Sequence, residues 1–576
     1  MKISFRYLLI LMLFCLSHFV IAQKEIPVNY FGSPLDINLS ITGSFAEIRG
    51  NHFHSGIDFA VQQKEGLPVY AVADGLVSRV KVSPIGFGNA LYIDHPNGFT
   101  SVYAHLYKFN DTISQYVLTA QYKAKSFDVD LFPAGKKDFI YVKKGQLIGY
   151  AGNSGSSGGA HLHFEIRNTI TENIINPLLF GLSLTDNFSP YIDFIKIYPD
   201  DRNSYIGDKN EALKFNVKKT GRNEYKLAIA DTLKMWGNFS IGVQAFDFNQ
   251  SQSNRNGFYK VMMSKDEQEF FSMQCDSFAF AESRYVNASI DFPSNYNLGN
   301  RIVKSKKLSG NKLSFFDTKG SNGVINFIDG DLHTVAISVA DQAGNRIDLT
   351  FIVKSEKPGG IVQVPALIES DTSVLIRFDK QGQFENKDIK VEFPTGSLYS
   401  DQAFLYSKKP QTKGLFSDIH YLHTPEEPIH NRIKVSIRAR NLPASLQNKA
   451  LLVRIDRDGK RSSAGGGYES GFVTAATNLF DGYAIGIDTI APSIKPSAEN
   501  VKSKTMLKFT VSDNFSGITK YRGELNGKWV LVEWDPKNKR MQYRFDFMVQ
   551  EGSNTFVLYL EDAKGNKSQS AITFVK

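Results

Sequence analysis

The sequence predicts a mainly β protein of several domains, and three observations support this prediction. The chain has 576 residues, which is too long for one hydrophobic core. Aromatic residues make up 12% of it, with 44 Phe and 25 Tyr, and these residue types favour strands. Short alternating apolar segments recur between turn signals, as expected for β-sandwich strands; examples are residues 213–217, 239–245, 334–339 and 507–511.

The first 22 residues have the pattern of a secretory signal peptide. Lys2 and Arg6 precede an apolar run over residues 7–16, and Ala22 ends a tolerable cleavage site. The run is shorter than the roughly 18 residues that a membrane span needs. An uncleaved anchor is therefore the less favoured interpretation, and no other segment has the pattern of a transmembrane span. We expect export to the periplasm, the cell envelope or the medium.

The mature chain would carry one cysteine and a modest positive charge. Cys15 lies in the predicted signal, so Cys275 alone remains and no intramolecular disulfide can form. Removing Lys2 and Arg6 lowers the formal net charge from +9 to +7. An excess this small over so long a chain argues against a nucleic-acid partner.

A weak repeat and proline-containing junctions predict the domain boundaries. Residues 340–346 and 561–567 each contain a Gly-Asn turn after a strand, and a final strand follows each turn, which predicts two hairpins. Both resemble the last hairpin of bacterial immunoglobulin-like domains. Proline-containing junctions lie at Pro190, Pro358 and Pro492. Four domains are predicted. The first covers residues 23–184. It is followed by an immunoglobulin-like β-sandwich over 185–357, a β-sandwich over 358–487 and a second immunoglobulin-like β-sandwich over 488–576.

The residues that bind a metal or act in catalysis are expected in the first domain. Residues 23–184 hold six of the eleven histidines and many glycines. The four histidines that follow this domain, and the one in the signal, lie outside that cluster.

The segment 53–59 presents His54 and Asp58 on one face of an extended chain, because successive side chains alternate between faces. Gly56 lies between them and has no side chain, so an ion can approach both. The alternate positions are apolar and are expected in the core: Phe53, Ile57 and Phe59.

The segment 161–166 shows the same alternation. His161, His163 and Glu165 share the polar face, so two imidazoles can face one site. The opposite face is apolar and is expected in the core: Leu162, Phe164 and Ile166.

A third imidazole comes from the segment 101–106. Alternation places His105 and Tyr103 on the face away from the core. The residues expected to point inward are Val102, Ala104 and Leu106.

Together these segments predict a zinc site built on a sheet. Neutral imidazole and carboxylate suit zinc, and a catalytic zinc typically has three protein ligands and a water. The helical zinc-protease motif HExxH is absent. His52 and His95 lack a partner at a useful spacing, so we interpret them as ordinary structural residues.

The glycine-rich loop 152–159 precedes the histidine pair. A phosphate-binding loop is the alternative interpretation, but no Gly-Lys-Ser/Thr follows and the next element is a strand. We expect a tight turn that places the start of the following strand at the site.

The three histidine-bearing segments resemble the M23 family of peptidases, the lysostaphin-like or LytM-type peptidoglycan endopeptidases. They have the order and context of that family over roughly residues 40–180. The segments 66–77 and 142–149 also resemble family strands and turns.

The resemblance implies an antiparallel β-sheet domain and a role for each polar residue. Zn²⁺ would be held by His54, Asp58 and His163. His161 would be the base that activates a zinc-bound water, and His105 would stabilise the charge of the tetrahedral intermediate. The residues that could orient these groups are Glu165, Tyr103 and Arg49.

One departure from compact members of the family is an insertion over about 107–144. We expect it to form one wall of the substrate groove.

The expected function is that of an exported zinc metalloendopeptidase that cuts peptide cross-links of bacterial peptidoglycan. The alternatives are a catalytically inactive regulator of another wall enzyme and a wall-binding scaffold. The β-sandwich domains could bind an envelope protein in either case.

Overall fold

Strands make up most of the regular structure, as the composition predicts. The computed structural model describes residues 26–133, 139–182, 184–229, 232–248, 254–360 and 374–576. These residues form 45 strands and three α-helices. The expected signal peptide lies outside the described residues. None of the helices described is long and apolar enough to cross a membrane.

The first part of the chain forms one large antiparallel sheet and one small one. Its strands are β1 (Ile41–Gly43), β2 (Ile57–Ala60), β3 (Pro68–Tyr70), β4 (Gly75–Val82), β5 (Ala90–Asp94), β6 (Phe99–Ala104), β7 (Lys108–Phe109), β8 (Val129–Leu131), β9 (Tyr141–Val142), β10 (Leu147–Tyr150), β11 (His161–Asn168) and β12 (Ile174–Ile175). The large sheet has the order β1-β2-β11-β6-β5-β4-β8, with β12 beside β11 and β9 beside β4. The small sheet has the order β3-β10-β7. The two strands that carry the histidine motifs, β2 and β11, are therefore neighbours.

Helix α1 (Asp111–Ala124) lies in the segment predicted as an insertion. The Asn110 side chain accepts a hydrogen bond from the backbone N–H of Ile113 and caps the N-terminus. Lys125, in the left-handed conformation, ends the helix. The buried residues recur at every fourth position, which is one face of a helix: Ile113, Val117 and Gln121.

Alternate residues of β2 and β11 fill the core beneath the sheet, and this confirms the alternation predicted for both strands. Each of these side chains is 0% exposed: Ile57, Phe59, Leu162, Phe164 and Ile166. Burying one large apolar side chain contributes about 1.5–3 kcal/mol, so this register is strongly fixed and the polar residues must face the other way.

The second part of the chain forms a twelve-stranded sheet. Its elements are β13 (Tyr191–Pro199), β14 (Tyr205–Ile206), β15 (Leu213–Lys219), β16 (Glu224–Leu227), β17 (Thr232–Phe246), β18 (Lys260–Lys265), β19 (Gln268–Gln274), β20 (Ser277–Phe278), α2 (Val286–Ser289), α3 (Phe292–Leu298), β21 (Val303–Lys304), β22 (Phe316–Asp317), β23 (Ile325–Phe327), β24 (Leu332–Ala340) and β25 (Arg346–Ser355). The main path is β14-β17-β13-β15-β16-β25-β24-β18-β19-β22. Strand β20 instead pairs with β12 of the first sheet, with Ile174 opposite Phe278. One continuous buried cluster extends from Phe31 to Val353, so the first two parts share a core.

The third part is built from two five-stranded sheets and one strand pair. Its strands are β26 (Val374–Ile376), β27 (Gly382–Glu385), β28 (Ile389–Phe393), β29 (Gln402–Phe404), β30 (Tyr406–Lys409), β31 (Ile419–Leu422), β32 (Ile433–Arg438), β33 (Ala450–Ile455), β34 (Arg461–Gly465), β35 (Gly467–Glu469), β36 (Phe472–Thr477) and β37 (Gly482–Ile487). The sheet orders are β27-β28-β32-β36-β35 and β30-β31-β37-β33-β34, and β26 pairs with β29. One buried cluster takes residues from both sheets, including Val435 and Ile485.

The fourth part is a pair of four-stranded sheets around their own core. Its strands are β38 (Ser493–Pro496), β39 (Met506–Ser512), β40 (Ile518–Leu525), β41 (Lys528–Val530), β42 (Glu533–Asp535), β43 (Arg540–Arg544), β44 (Ser553–Asp562) and β45 (Lys567–Val575). The orders are β38-β39-β43-β42 and β41-β40-β44-β45. The two hairpins predicted from the repeat are confirmed as β24–β25 and β44–β45.

Candidate metal and catalytic site

Three side chains from β2, β11 and the segment before β2 converge on one point. His54 Nε2 lies 3.1 Å from His163 Nδ1 and 3.0 Å from Asp58 Oδ1. His163 Nδ1 lies 2.9 Å from the same oxygen. The strand register brings two of these side chains together, because Asp58 lies directly opposite His163 in the β2–β11 ladder. All three residues are buried.

This triangle fits a tetrahedral zinc ion. Zinc–nitrogen bonds of about 2.0–2.1 Å place tetrahedral ligands about 3.3 Å apart, so the three atoms would need to move by only a few tenths of an ångström. Two imidazoles and one carboxylate are also a donor set that zinc takes in catalytic sites with an open fourth position. These residues could therefore hold zinc.

The surroundings of His54 fix which nitrogen faces the site. Its Nδ1 lies 2.8 Å from the backbone carbonyl oxygen of Ser44, and a carbonyl can only accept, so Nδ1–H donates. Burial lowers the pKa of His54 below its ordinary value, and this outweighs the raising effect of Asp58. The ring is therefore neutral with its Nε2 lone pair directed at the site.

A buried chain of polar groups orients His163. Its Nε2 lies 3.0 Å from Glu165 Oε1, and Arg167 donates from Nε to Glu165 Oε2 at 2.7 Å. Burial alone would raise the pKa of Glu165, but Arg167 and His163 lower it to about 2. Burial alone would lower the pKa of His163, but Asp58 and Glu165 raise it to about 9. Glu165 is thus an ionised acceptor that holds the ring with Nδ1 towards the site.

Asp58 is held as a carboxylate. Burial would raise its pKa, but the nearby imidazoles of His54, His161 and His163 bring it well below the ordinary value. Its second oxygen, Oδ2, lies 2.9 Å from Arg49 Nη2. Arg49 therefore fixes the oxygen that does not face the histidines.

His161 and His105 form a second pair beside the triangle, with ring centroids 4.9 Å apart. His161 Nδ1 lies 2.9 Å from the Gly159 carbonyl, and His105 Nδ1 lies 2.8 Å from the Ser154 carbonyl. Both rings donate from Nδ1, which leaves the Nε2 lone pair as an acceptor when the ring is neutral. Burial, together with His163 and His161, lowers the pKa of His105 to about 3.

The loop that supplies those two carbonyls is firmly held. Ser154 Oγ donates to the Leu106 carbonyl at 2.8 Å and accepts from the Asn89 backbone N–H at 2.9 Å. Gly155 has a φ of +70°, which glycine adopts without strain. A Cβ on Gly88 would lie 2.4 Å from the Ser154 carbonyl carbon. The loop is thus a tight, close-packed turn.

The prediction that Tyr103 faces the site is wrong. In the β6–β11 ladder Tyr103 lies opposite Phe164, on the core face, and it is 0% exposed. Its hydroxyl accepts from the Val72 backbone N–H at 2.9 Å. Ala104 and Val102 lie opposite His163 and Glu165, so they share the face of the site.

The physical reason is the backbone at His105. Strand β6 ends at Ala104, and His105 has a φ of +58°, a conformation in which strand alternation no longer applies. His105 therefore reaches the site although its neighbour Ala104 already faces that side.

Sequence reasoning missed Arg167 and Ser44. Alternation through β11 continues from Glu165 to Arg167, so the same pattern extended by two residues would have found the arginine. Ser44 acts through its backbone carbonyl, and no residue pattern predicts that contact.

Comparison with known proteins finds similarity over part of the region that forms this site. Residues 52–127 match the model of peptidase family M23, and residues 373–488 match the model of a Zu5-like domain. The DD-carboxypeptidase/endopeptidase Mpg of Neisseria meningitidis serogroup B is 34% identical over 129 residues, which are 22% of this chain and 23% of that protein. The peptidoglycan DD-endopeptidase ShyA of Vibrio cholerae is 34% identical over 113 residues, or 20% of each chain.

A solved structure of a zinc containing peptidase from Vibrio cholerae is 29% identical and covers 27% of this chain and 41% of that chain, with a TM-score of 0.20. The chain spans about a fifth to a quarter of the length of the curated relatives it matches.

Proposed function

We propose that the peptidase family M23 domain of this chain is an exported zinc endopeptidase that hydrolyses peptide cross-links of bacterial peptidoglycan. One observation carries the proposal. A triangle of two imidazoles and a carboxylate, with sides of 2.9–3.1 Å, lies beside two further histidines, His161 and His105, whose Nδ1 atoms bond backbone carbonyls.

The metal would be held by His54 Nε2, Asp58 Oδ1 and His163 Nδ1. Bound zinc would supply Lewis acidity, which polarises a carbonyl and lowers the pKa of a coordinated water towards ~7. Arg49 and Glu165 would keep the ligand atoms in place through Asp58 and His163.

His161 would act as the general base. Its Nε2 lies 3.4 Å from Asp58 Oδ1, at the edge of the ligand triangle, and carries a lone pair while Nδ1–H donates to Gly159. A water or amide held at the triangle would lie within reach of that nitrogen, and an imidazole takes and returns a proton near neutral pH.

His105 would stabilise negative charge on the substrate oxygen. A neutral His105 presents a lone pair at Nε2, so the ring must gain a proton before it can donate. As a peptide carbonyl oxygen becomes negative, that charge favours uptake of a proton from solvent at His105 Nε2, and the resulting imidazolium is the donor that stabilises the charge.

The relatives' printed names support peptidoglycan as the substrate, because the matched region of ShyA belongs to a peptidoglycan DD-endopeptidase. The predicted signal peptide is consistent with a substrate outside the cytoplasm. The insertion would form one groove wall, since Phe109 and Val117 line a cavity of about 520 Å³ that Trp534 of the fourth part also lines. An inactive regulator or wall-binding scaffold is disfavoured, because it would not need the full set of ligands and bases.

The direct test is digestion of purified peptidoglycan by the zinc-loaded chain, with mass spectrometry of the released muropeptides. New peptide ends are expected, and their sequence identifies the bond. His161→Ala, with zinc content measured, is the control and should release none. If the unmutated protein binds zinc but cuts no wall type tried, the regulatory or scaffold role replaces the proposal.

A further inference from the structure

Three carboxylates meet where the first sheet adjoins the second. Ligand oxygens of Asp186, Asp247 and Asp341 all lie within 4.8 Å of one another. Asp247 is 6% exposed and Asp341 is 4% exposed. The three residues line a cavity of about 160 Å³, which has room for an ion and several waters.

Two of the three carboxylates have no cationic partner in the described part of the chain. Asp247 and Asp341 pair with no described lysine or arginine. Asp341 accepts hydrogen bonds from the backbone and side chain of Asn345, whereas Asp247 lies beside the other two carboxylates. Within the described part of the chain, Asp247 Oδ1 is buried without a hydrogen-bond partner. Leaving a buried polar atom unpaired costs about 1–3 kcal/mol, and more when it is charged, so the geometry calls for a cation.

An amide lies next to this unpaired carboxylate. Asp247 and Asn256 exchange two backbone hydrogen bonds of 2.9 Å each, and residues paired in this way project their side chains from the same face. Asn256 is 1% exposed, and neither polar atom of its side chain has a partner among the described residues. The Asn256 side chain therefore projects from the same face as Asp247 and has no partner among the described residues.

We propose that Asp186, Asp247 and Asp341 form a calcium site, with the Asn256 amide as a further oxygen ligand. Ca²⁺ takes six to eight oxygen ligands at about 2.3–2.6 Å in flexible geometry, so its ligands spread over about 5 Å, as these do. Mg²⁺ requires a smaller octahedral cage, and zinc favours nitrogen and sulfur donors.

The repeated hairpin contributes one residue to a second group of three carboxylates. Asp562 occupies the place in its turn that Asp341 occupies in the first hairpin, and it lies with Asp488 and Asp513 within 4.8 Å. Asp513 is only partly buried, so this group is less enclosed than the first.

The proposed ion would also stabilise the chain segment behind the zinc ligands. Gly257, next to Asn256, donates its N–H to Ser44 Oγ at 2.9 Å and accepts from the same hydroxyl at 3.1 Å. The Ser44 carbonyl in turn holds His54. This coupling rests on the proposed zinc site, whereas calcium binding does not.

The test is calcium titration of the zinc-loaded, calcium-free full chain by isothermal calorimetry, together with thermal melting with and without calcium. Saturable binding is expected at or below millimolar calcium, with a higher melting temperature. Asp247→Asn and Asp341→Asn should each remove one bound ion or weaken it at least tenfold. Asp208→Asn, an exposed aspartate of the same part of the chain, is the matched control and should bind like the unmutated protein.

Melting in the absence of calcium separates a metal ligand from a structural residue. Asp247→Asn relieves repulsion, so without calcium this variant should melt at or above the temperature of the unmutated protein, and it should gain less than the unmutated protein when calcium is added. The proposal is overturned if the unmutated chain shows no saturable binding, or if Asp247→Asn lowers the melting temperature equally with and without calcium. Neither result depends on whether the chain cuts peptidoglycan.

Discussion

At the residue scale, the proposed chemistry depends on which nitrogen of each histidine faces the site. Backbone carbonyls take the Nδ1–H of His54, His105 and His161, and Glu165 takes the Nε2–H of His163. The tautomer of each ring is thus set by its neighbours before a metal arrives. The sequence supplies the imidazoles, but the carbonyls that orient them come from loops.

Single substitutions should separate metal binding from catalysis. His163→Ala is expected to lose both zinc and activity, because it removes a ligand. His105→Ala should retain zinc and lose about 10²–10³-fold in kcat, as expected when a donor to developing charge is removed. Zinc content by elemental analysis, beside muropeptide release, measures both effects. Normal cutting by His105→Ala would remove the charge-stabilising role from that residue.

Zinc binding should be linked to pH through His163. In the metal-free protein its pKa is raised to about 9, so at pH 7 the ring is protonated and must lose that proton to become a ligand. Uptake of one zinc should release about one proton at pH 7, and zinc affinity should rise about tenfold per pH unit from pH 6.5 to 8.5.

Calorimetry in buffers of different ionisation enthalpy counts the released protons. Glu165→Gln is the control, because removing that carboxylate lowers the pKa of His163 and should reduce the proton release. An unchanged count in this variant would mean that Glu165 does not set the charge of the ring.

At the scale of elements, strand alternation gave the correct core face for β2 and β11 and failed on β6. Strand β11 is regular through its whole motif, and β2 is regular from Ile57 onward, so side chains alternate between faces there. On β6 the strand ends at Ala104, and the positive φ of His105 turns its side chain to the site. A local backbone conformation of this kind is decided by the loops that His105 contacts, such as its N–H bond to the Phe87 carbonyl.

The contact between β2 and β11 predicts a strict requirement for glycine at position 56. A Cβ there would lie 2.4 Å from the Phe164 carbonyl oxygen and 3.0 Å from His163 Cε1. Gly56→Ala should therefore destabilise the domain by about 1–3 kcal/mol and displace His163, which weakens zinc binding.

Thermal melting and zinc competition would measure this effect. Gly50→Ala is the matched control, since a Cβ at that position meets nothing within 4 Å. Equal behaviour of the two variants would show that β11 can move away without loss.

At the scale of the whole molecule, the fourth part of the chain contacts the first part. Lys537 Nζ donates to the Asn153 side-chain oxygen at 2.9 Å and to the Ser157 carbonyl at 2.8 Å. These bonds hold the loop whose carbonyls orient His105 and His161. Tyr122 of α1 packs against Trp529 with ring centroids 5.1 Å apart, so the insertion is part of the same contact.

Lys537→Met should therefore reduce activity without removing zinc. The substitution keeps the apolar stem but deletes the ammonium that fixes the loop, and a loss on the order of tenfold in kcat/KM is expected from charged hydrogen bonds worth about 1.5–3 kcal/mol. Lys528→Met, at an exposed position of β41 in the same part of the chain, serves as the comparison. Full activity in Lys537→Met, with peptidoglycan as substrate, would mean that the loop keeps its conformation without the fourth part.

The sequence by itself determined the mainly β class, the two repeated hairpins and the face of β2 and β11 on which the polar residues lie. Those features follow from local alternation and turn chemistry, which short segments specify on their own. Tertiary structure alone decided that β2 and β11 are neighbours, that Arg167 and Ser44 support the ligands, and that Lys537 reaches the loop from 380 residues away. These depend on which distant segments pack together, and packing is chosen by burial over the whole chain rather than by any one segment.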